Sequence, residues 1–300
     1  MTALTIAHSP CPNDTFVFHA WSHGLLPGAP ELSVRIADID VTNQLAGSTE
    51  LDVLKISFAA LPDFLDDYAL VPCGGALGRG CGPLVVAASQ AGPEGLSGAT
   101  IAIPAEKSTA YLLFRRWAAQ AVPGGIGKVE VLPFGEIMPA VRDGAFDAGL
   151  IIHEARFTFR DMGLQQVVDL GQAWEDSTGL PIPLGAIVAK RSLGAETLTA
   201  VADAISDSVA YAWKNPDASA GYVREHAQEM DPEVMRQHIG LYVNDFTAEL
   251  GEAGYRAIRV LLDEAAERGV ARPVDDAALT FPAVRHRGEH RGNGSPRWGG

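Results

Sequence analysis

The sequence predicts an α/β protein with two lobes and a cleft between them. Segments with strand character alternate with helical segments along most of the 300 residues, which is typical of βαβ units on a largely parallel sheet. Two similar apolar strands, at residues 82–88 and 183–190, flank a self-contained run of such units. This arrangement indicates that the chain leaves a first lobe, builds a second one and then returns.

The first lobe begins with a strand at residues 4–7. Pro10 and Pro12 exclude a helix directly after it, and Asn13 or Asp14 can cap the helix that follows. The segment is predicted to continue with strands at 32–36 and 52–57 and with helices at 15–23, 42–46 and 58–65.

The middle of the chain repeats the same alternation. It is predicted to contain strands at 100–103, 128–132 and 148–152 and helices at 109–119 and 136–143. After the returning strand, helices are predicted at 195–213, 216–229, 231–242 and 249–268. We therefore predict a discontinuous first lobe at 1–87 and 188–283, an inserted lobe at 88–187, and a disordered tail at 284–300.

The charge of the chain argues against nucleic acid as a partner. The formal net charge is −14, whereas binding to phosphates needs clustered Lys and Arg. The tail is the basic exception, but its arginines lack interleaved aromatic side chains. No apolar run approaches the ~20 residues of a membrane span, so no membrane partner is expected. The sequence carries no prediction of oligomeric state.

The compartment can be predicted from the amino terminus and the cysteines. The first residues lack the basic region of a secretory signal and continue directly into a strand. Cys11, Cys73 and Cys81 are odd in number and have no C-x-x-C spacing, which predicts neither a disulfide framework nor a zinc knuckle. A reducing cytoplasm is the expected setting.

His153 is the first candidate for chemistry. It ends an apolar strand with the sequence GLII, and a strand without polar alternation is typical of one covered on both faces. Ligands of open α/β sheets bind at the carboxyl ends of such strands, and histidine exchanges a proton near neutral pH. The alternative is a histidine that only forms a hydrogen bond with a loop. His153-Glu154 lacks a second histidine at helical spacing, so no metal site is predicted.

Two strand-to-helix loops carry further candidates. Ser9, Asn13 and Asp14 lie in a rigid loop before the first helix, and Ser108 and Thr109 begin a helix in the middle of the chain. Backbone N–H groups at such helix starts favour an anion, although the hydroxyl groups could serve only as helix caps.

A short internal echo adds a second strand end to the same cleft. Gly47 and Asp52 precede an apolar strand that carries Lys55 and Ser57, much as a glycine and an aspartate precede the strand that ends in His153. If the two halves are related, these polar groups face one another across the cleft. Chance similarity is the alternative.

The glycine-rich segment at 74–82 does not match a nucleotide-binding motif. It does not follow a strand and open a helix, so we expect its glycines to permit tight turns instead. Arg79 in this segment could bind a substrate carboxylate or form a structural salt bridge. Cys11 could be a nucleophile at a helix start or a small buried thiol.

These motifs, taken in order, resemble the 1,4-dihydroxy-6-naphthoate synthase family of menaquinone biosynthesis. The resemblance extends from about residue 4 to residue 268. It is carried by the segments SPCPNDTF at 9–16, KIS at 55–57, GGALGRG at 74–80, GLIIHE at 149–154 and TGLPIPLG at 178–185.

The resemblance implies a two-lobed fold like that of the type II periplasmic binding proteins, with a central cleft. It also implies conversion of cyclic dehypoxanthine futalosine to 1,4-dihydroxy-6-naphthoate and dihydroxyacetone, without metal or organic cofactor. The proton acceptor of the family falls on His153, and its substrate contacts fall on Lys55, Ile56 and Ser57. The pair Ser108-Thr109 carries over as well, with Ser108 in place of a threonine that is frequent in the family.

The implied chemistry agrees with these residues. Cleavage of the ribose-derived carbons needs a proton taken from a hydroxyl group or from a carbon next to a carbonyl, which neutral His153 could do. The implied partner is a small anionic molecule, so its benzoate needs Lys55, Arg79 or a helix amino terminus. Two alternatives stay open at this point: the chorismate dehydratase of the same pathway, and a non-catalytic cytoplasmic solute-binding protein.

Overall fold

A computed structural model describes residues 3–227 and 231–282 of the chain. Strands β1 to β11 occupy Leu4–His8, Leu32–Ile36, Val53–Ser57, Tyr68–Leu70, Ala76–Gly78, Leu84–Ala87, Thr100–Ile103, Lys128–Val131, Ala148–Ile151, Gln165–Asp169 and Ile182–Lys190. Helices α1 to α12 occupy Pro12–Ser22, Ile39–Ser48, Thr109–Ala121, Phe134–Arg142, Ala155–Thr158, Leu170–Thr178, Gly194–Lys214, Ala220–His226, Pro232–Tyr242, Asp245–Ala248, Gly251–Glu267 and Asp276–Leu279. Short 3-10 helices lie at Phe58–Phe64, Pro93–Leu96, Arg191–Leu193 and Pro216–Ser219.

The strands form two sheets with helices packed around them. The first sheet has the order β2-β1-β3-β11-β4, with β5 also paired to β11. The second sheet has the order β10-β6-β9-β7-β8. The predicted mixed α/β architecture is therefore present. The predicted lobe limits at 87/88 and 187/188 stay a prediction, and strand β6 pairs only within the second sheet.

The expectation of largely parallel sheets is wrong. Each sheet has a parallel centre, formed by β1 with β2 and β3 in one and by β7 with β8 and β9 in the other. The returning strand β11 runs antiparallel to β3, β4 and β5, and β6 runs antiparallel to β9 and β10. The antiparallel pairs involve β6 and β11, the strands at which the chain passes between the sheets. A parallel neighbour would require a crossover connection, usually a helix, and an antiparallel one does not.

Most predicted elements are present with small shifts at their ends. The segment predicted as a helix at 58–65 is a 3-10 helix, and that at 216–229 begins with a 3-10 turn before α8. Strands β4, β5 and β10 were not predicted, since the first two have three residues each and β10 has the partly polar sequence QQVVD. The predicted tail at 284–300 lies outside the described residues.

Buried strands and helices form the core on both sides of each sheet. Val53 and Leu54 of β3 are fully buried on opposite faces of the first sheet, and Ile101 and Ala102 are fully buried on opposite faces of the second. This double coverage explains why the strand sequences are apolar without alternation. None of the helices formed by residues 3–227 and 231–282 is long and apolar enough to cross a membrane.

Candidate active site

The carboxyl ends of four strands open onto one cavity of about 650 Å³. In the first sheet β1 leads to Ser9 and β3 ends at Ser57, while in the second sheet β9 leads to His153 and β7 leads to the loop before Ser108. The cavity is lined by these predicted site residues: Ser9, Asn13, Asp14, Lys55, Ser57, Ser108, Thr109 and His153. Its position agrees with the rule that ligands bind at strand ends in open α/β sheets.

His153 lies where this cavity meets a second one of about 990 Å³. Its backbone is in the left-handed region, with φ of 51°, two residues after the end of β9. That conformation is uncommon outside glycine and costs free energy, and it turns the chain sharply between β9 and α5. The strand and helix therefore hold the imidazole at the edge of the second sheet.

The surroundings of His153 keep its ring neutral. Its Nδ1 lies 3.2 Å from the Sγ of Cys11, and Phe134 packs against the ring edge-on at 5.4 Å between centroids. Loss of water around the ring lowers the pKa of His153 to about 4; the nearby Asp14 carboxylate opposes this effect and Lys55 adds to it. A neutral imidazole can accept a proton throughout the neutral pH range.

Lys55 and Asp14 form a buried ion pair in the cavity wall. The Lys55 Nζ lies 2.6 Å from Asp14 Oδ1, and the side chains are 4% and 3% exposed. Ser9 Oγ and Asn13 Nδ2 donate to the same carboxylate at 2.7 and 2.9 Å. Burial alone would raise the pKa of Asp14, but Lys55, His8 and the hydrogen bond from Ser9 together outweigh it, so the pKa lies below its ordinary value. Lys55 and Asp14 therefore line the cavity as an ion pair with no net charge.

The hydroxyl groups predicted at the cleft are held by neighbouring groups. Asn43 of α2 accepts from the Ser57 N–H at 2.9 Å and donates to its hydroxyl at 3.2 Å. Ser108 caps α3 by accepting from the N–H of Tyr111 at 3.1 Å, as expected from the capping alternative. Thr109 donates to the Leu184 carbonyl at 2.9 Å. These bonds fix the positions of the side chains that face the cavity.

Arg79 and Ile56 do not line either cavity. Arg79 contacts Glu175 at 3.3 Å and donates to the Gly179 carbonyl at 2.9 Å, with its side chain 54% exposed. Of the two roles that the sequence allowed for Arg79, the structure shows the structural salt bridge. Ile56 is fully buried. Because side chains alternate along β3, its side chain lies on the face opposite to Lys55 and Ser57, and only its backbone could reach a ligand that contacts those two residues.

Cys11 is a buried thiol that contacts the candidate base. Burial, together with the negative charges of Glu154 and Asp14, raises the pKa of the Cys11 thiol well above its ordinary value. A thiol held neutral is a poor nucleophile, which favours the alternative of a small buried side chain. Cys11, His153 and Glu154 offer ligand atoms within 4.8 Å of one another, so these three residues could hold a metal ion.

Sequence reasoning missed three side chains of this site. Asn43 holds Ser57, while His238 and Tyr242 of α9 line the cavity. The signal for the last two was present in the helical period, because Met235, His238 and Tyr242 form the buried face of α9. A histidine on the apolar face of a helix can be found in this way, but its place beside His153 depends on tertiary packing.

Solved structures and curated proteins resemble this chain over nearly its whole length. The periplasmic aliphatic sulphonate binding protein of Escherichia coli is 14% identical, covers 100% of this chain and 98% of its own, and superimposes with a TM-score of 0.68. A solved Archaeoglobus fulgidus protein is 33% identical, with a TM-score of 0.82 over 89% of this chain and 98% of its own. The chain thus has the periplasmic-binding-protein fold, which confirms the predicted fold class.

The sequence comparisons specify the family. A family model described as menaquinone biosynthesis matches residues 4–267. A curated Streptomyces coelicolor protein named 1,4-dihydroxy-6-naphthoate synthase is 63% identical over 93% of this chain and 98% of its own length. A Thermus thermophilus protein of the same name is 46% identical over 91% of this chain and 97% of its own. The chain therefore belongs to the menaquinone-biosynthesis enzyme family that includes the 1,4-dihydroxy-6-naphthoate synthases, as the motifs predicted.

Proposed function

We propose that this protein is a carbon–carbon lyase that converts cyclic dehypoxanthine futalosine to 1,4-dihydroxy-6-naphthoate and dihydroxyacetone. The observation that carries the proposal is a neutral His153 at a strand end, facing a cavity in a chain 63% identical to a relative of that name. The cavity wall combines apolar side chains with a few polar groups, as is typical of sites for small organic molecules.

In the proposed reaction His153 is the general base. It takes the proton from a hydroxyl group, or from a carbon next to a carbonyl, on the ribose-derived part of the substrate. When the proton comes from a hydroxyl group, the O–H electrons form a carbonyl group as the adjacent carbon–carbon bond breaks. The electron pair of that bond passes to a neighbouring carbonyl group as an enolate, and the proton on His153 is returned to neutralise it. Formation of the aromatic ring favours the later steps. The low pKa of His153 keeps the ring unprotonated before substrate binds. A positioned base of this kind contributes about 10²–10⁴-fold in rate.

We propose that the amino terminus of α3 binds the substrate carboxylate. Lys55 is paired with Asp14, and Arg79 lies outside the cavity, so neither is the first choice for a second carboxylate. Thr109 and Ala110 are the first residues of α3 and line the cavity, and the helix itself cannot use their N–H groups. The positive end of the helix dipole adds to the attraction for an anion.

We propose that Lys55 stabilises negative charge on the substrate during the reaction. Its ammonium group has three N–H donors, and the bond to Asp14 uses one of them. The others can donate to a substrate oxygen on which negative charge develops. Because Asp14 balances the charge of Lys55, the pair can do so without making the empty cavity strongly positive.

The cytoplasm is the proposed site of the reaction. Cys11, Cys73 and Cys81 are free and buried, which fits a reducing compartment. The family is one of menaquinone biosynthesis, which also fits this compartment. Fractionation of the native host, followed by immunodetection of the chain, tests this part of the proposal.

The substrate assignment is tested by incubating the purified protein with cyclic dehypoxanthine futalosine and detecting both products by mass spectrometry. We expect equal amounts of 1,4-dihydroxy-6-naphthoate and dihydroxyacetone. A parallel incubation with chorismate is the control: dehydration of chorismate, with no cleavage of the first substrate, would assign the chain to the other reaction. Binding of the first substrate without either product would favour a solute-binding protein.

A further inference from the structure

His238 is a buried histidine in the cavity wall that the proposed reaction does not yet use. It lies on α9, is 1% exposed, and lines the cavity together with Lys55 and His153. Its ring packs against that of Tyr242, tilted by 33°, at 4.5 Å between centroids. A histidine so deeply buried needs hydrogen-bond partners for its ring nitrogens.

One nitrogen of His238 has a partner, and a chain of hydrogen bonds identifies the tautomer. The Asp14 carboxylate is held ionised by Lys55 and can only accept, so the Asn13 group 2.9 Å from it is the amide nitrogen. The Asn13 oxygen therefore faces His238 Nε2 at 2.9 Å. Since an amide oxygen can only accept, Nε2 carries the proton of the neutral ring.

The other nitrogen of His238 then presents a lone pair. Within the part of the chain that the structure describes, Nδ1 is buried and has no hydrogen-bond partner. A buried acceptor without a donor costs free energy, and such sites are commonly completed by a ligand or an ordered water. Because His238 borders the cavity, a ligand bound there can supply the missing donor.

We propose that His238 contacts the substrate, and that its Nδ1 accepts a hydrogen bond from a hydroxyl group on the ribose-derived carbons. This inference rests on the proposed function, because those carbons carry the hydroxyl donors of that substrate. The relay from Lys55 through Asp14 and Asn13 holds the ring in the accepting tautomer. His238 thereby orients the hydroxyl-bearing carbons relative to His153.

His238 acts as an acceptor and not as a second base. Burial, together with the neighbouring His153, lowers the pKa of His238 to about 3, so the ring is neutral when it accepts the hydrogen bond. In this proposal the proton of the reaction goes to His153, as in the proposed function, and His238 only accepts a hydrogen bond. His153 transfers the proton, and His238 orients the substrate.

Two variants separate this role from a structural one. His238→Gln can keep the donor to Asn13 but places no acceptor where Nδ1 lies. His238→Asn places an amide oxygen near the Nδ1 position but cannot reach Asn13. We expect kcat/KM to fall about 10–100-fold in His238→Gln and by less in His238→Asn. We expect the opposite order in stability, with His238→Gln the more stable variant.

The readouts are kcat and KM with cyclic dehypoxanthine futalosine and, separately, the urea midpoint of each variant. Crossed orders of activity and stability support the inference. Activities that follow the stabilities, or a His238→Gln enzyme as active as the wild type, would overturn it while leaving the proposed function intact. A wild-type protein that turns over none of this substrate would instead overturn the proposed function, and this inference with it.

Discussion

At the scale of single residues, the site depends on charges that are buried and paired. Lys55 and Asp14 are almost inaccessible to water, so removal of one partner leaves the other as an uncompensated buried charge. This is the condition under which an ion pair has a large effect on stability. An exposed pair such as Lys107 with Asp63 has the same 2.6 Å separation but stays hydrated.

We expect Lys55→Met to reduce the free energy of unfolding by about 3–5 kcal/mol, because it strands the Asp14 carboxylate. The double variant Lys55→Met with Asp14→Asn should lose much less than the two single variants combined. Lys107→Met is the matched control and should cost less than about 1 kcal/mol. Urea denaturation followed by circular dichroism measures the wild type, the three single variants and the double variant; similar losses for Lys55→Met and Lys107→Met would argue against a buried pair.

The pH dependence of turnover reports on His153. Protonation of the base in the free enzyme should remove activity, so kcat/KM should fall at low pH with an apparent pKa near 4. Between about pH 6 and 8 the same parameter should not change through this residue. The measurement is kcat/KM across pH in buffers of constant ionic strength. An acid limb centred near 6.5 would mean that the ring titrates as if in water.

The sequence allowed prediction of the residues that lie at strand ends, because strand periodicity and the strand-end rule are local signals. His153, Lys55, Ser57, Ser108 and Thr109 all line the cavity for this reason. The helix residues that complete the site were missed. Their contribution depends on how a helix packs on the sheet, and no local pattern specifies that contact.

At the scale of elements, the returning strand β11 shapes the site through a glycine. Gly185 lies opposite Ser57 in the antiparallel ladder with β3. A Cβ at this position would lie 2.6 Å from the Cε of Lys55, which is closer than atoms tolerate. The glycine thus leaves the space that the Lys55 side chain fills on its way to Asp14.

Gly185→Ala should displace the Lys55 ammonium group and lower kcat/KM by about 10²-fold, because a shift of about 1 Å at a catalytic group has that effect. Gly221→Ala in α8 is the matched control: a Cβ there meets nothing within 4 Å, and activity should not change. Steady-state kinetics on both variants, with a check of folding, provide the comparison. Full activity in Gly185→Ala would show that the position of Lys55 is not critical.

The elements themselves were predictable where apolar periodicity is long. Strands β3, β9 and β11 and helices α3, α7 and α11 all follow such patterns. Strand direction was not predictable in the crossing region. A strand buried on both faces is apolar whether its neighbour is parallel or antiparallel, and the pairing of β11 with β3 is fixed by contacts more than 100 residues apart.

At the scale of the whole molecule, two sheets meet at a cavity lined by His153 and His238, and His8 is buried at the end of β1. Burial lowers the pKa of His8, lowers that of His153 to about 4, and lowers that of His238 to about 3. In the unfolded chain these side chains titrate near 6.5. At pH values between the folded-state and unfolded-state pKa of each histidine, the unfolded chain binds more protons than the folded protein.

Stability should therefore fall as the pH drops below about 6.5, by at most about 1.4 kcal/mol per pH unit for each such histidine. The sign follows from linkage: protons taken up only by the unfolded chain favour unfolding. His238→Gln should reduce the slope of unfolding free energy against pH by the contribution of one histidine. Urea denaturation of both proteins at several pH values between 4.5 and 7.5 tests this. Stability that stays constant over that range would contradict neutral burial of these rings.

The central claim is that His153 is the base, and its backbone conformation selects the variant that tests it. Asparagine tolerates the left-handed region better than alanine, so His153→Asn removes the basic nitrogen with little added strain. The measurement is the single-turnover rate of wild-type and His153→Asn protein with cyclic dehypoxanthine futalosine, after equal folding and substrate binding are verified. We expect the rate to fall about 10²–10⁴-fold with binding retained. A His153→Asn protein that turns over at the wild-type rate would contradict the account.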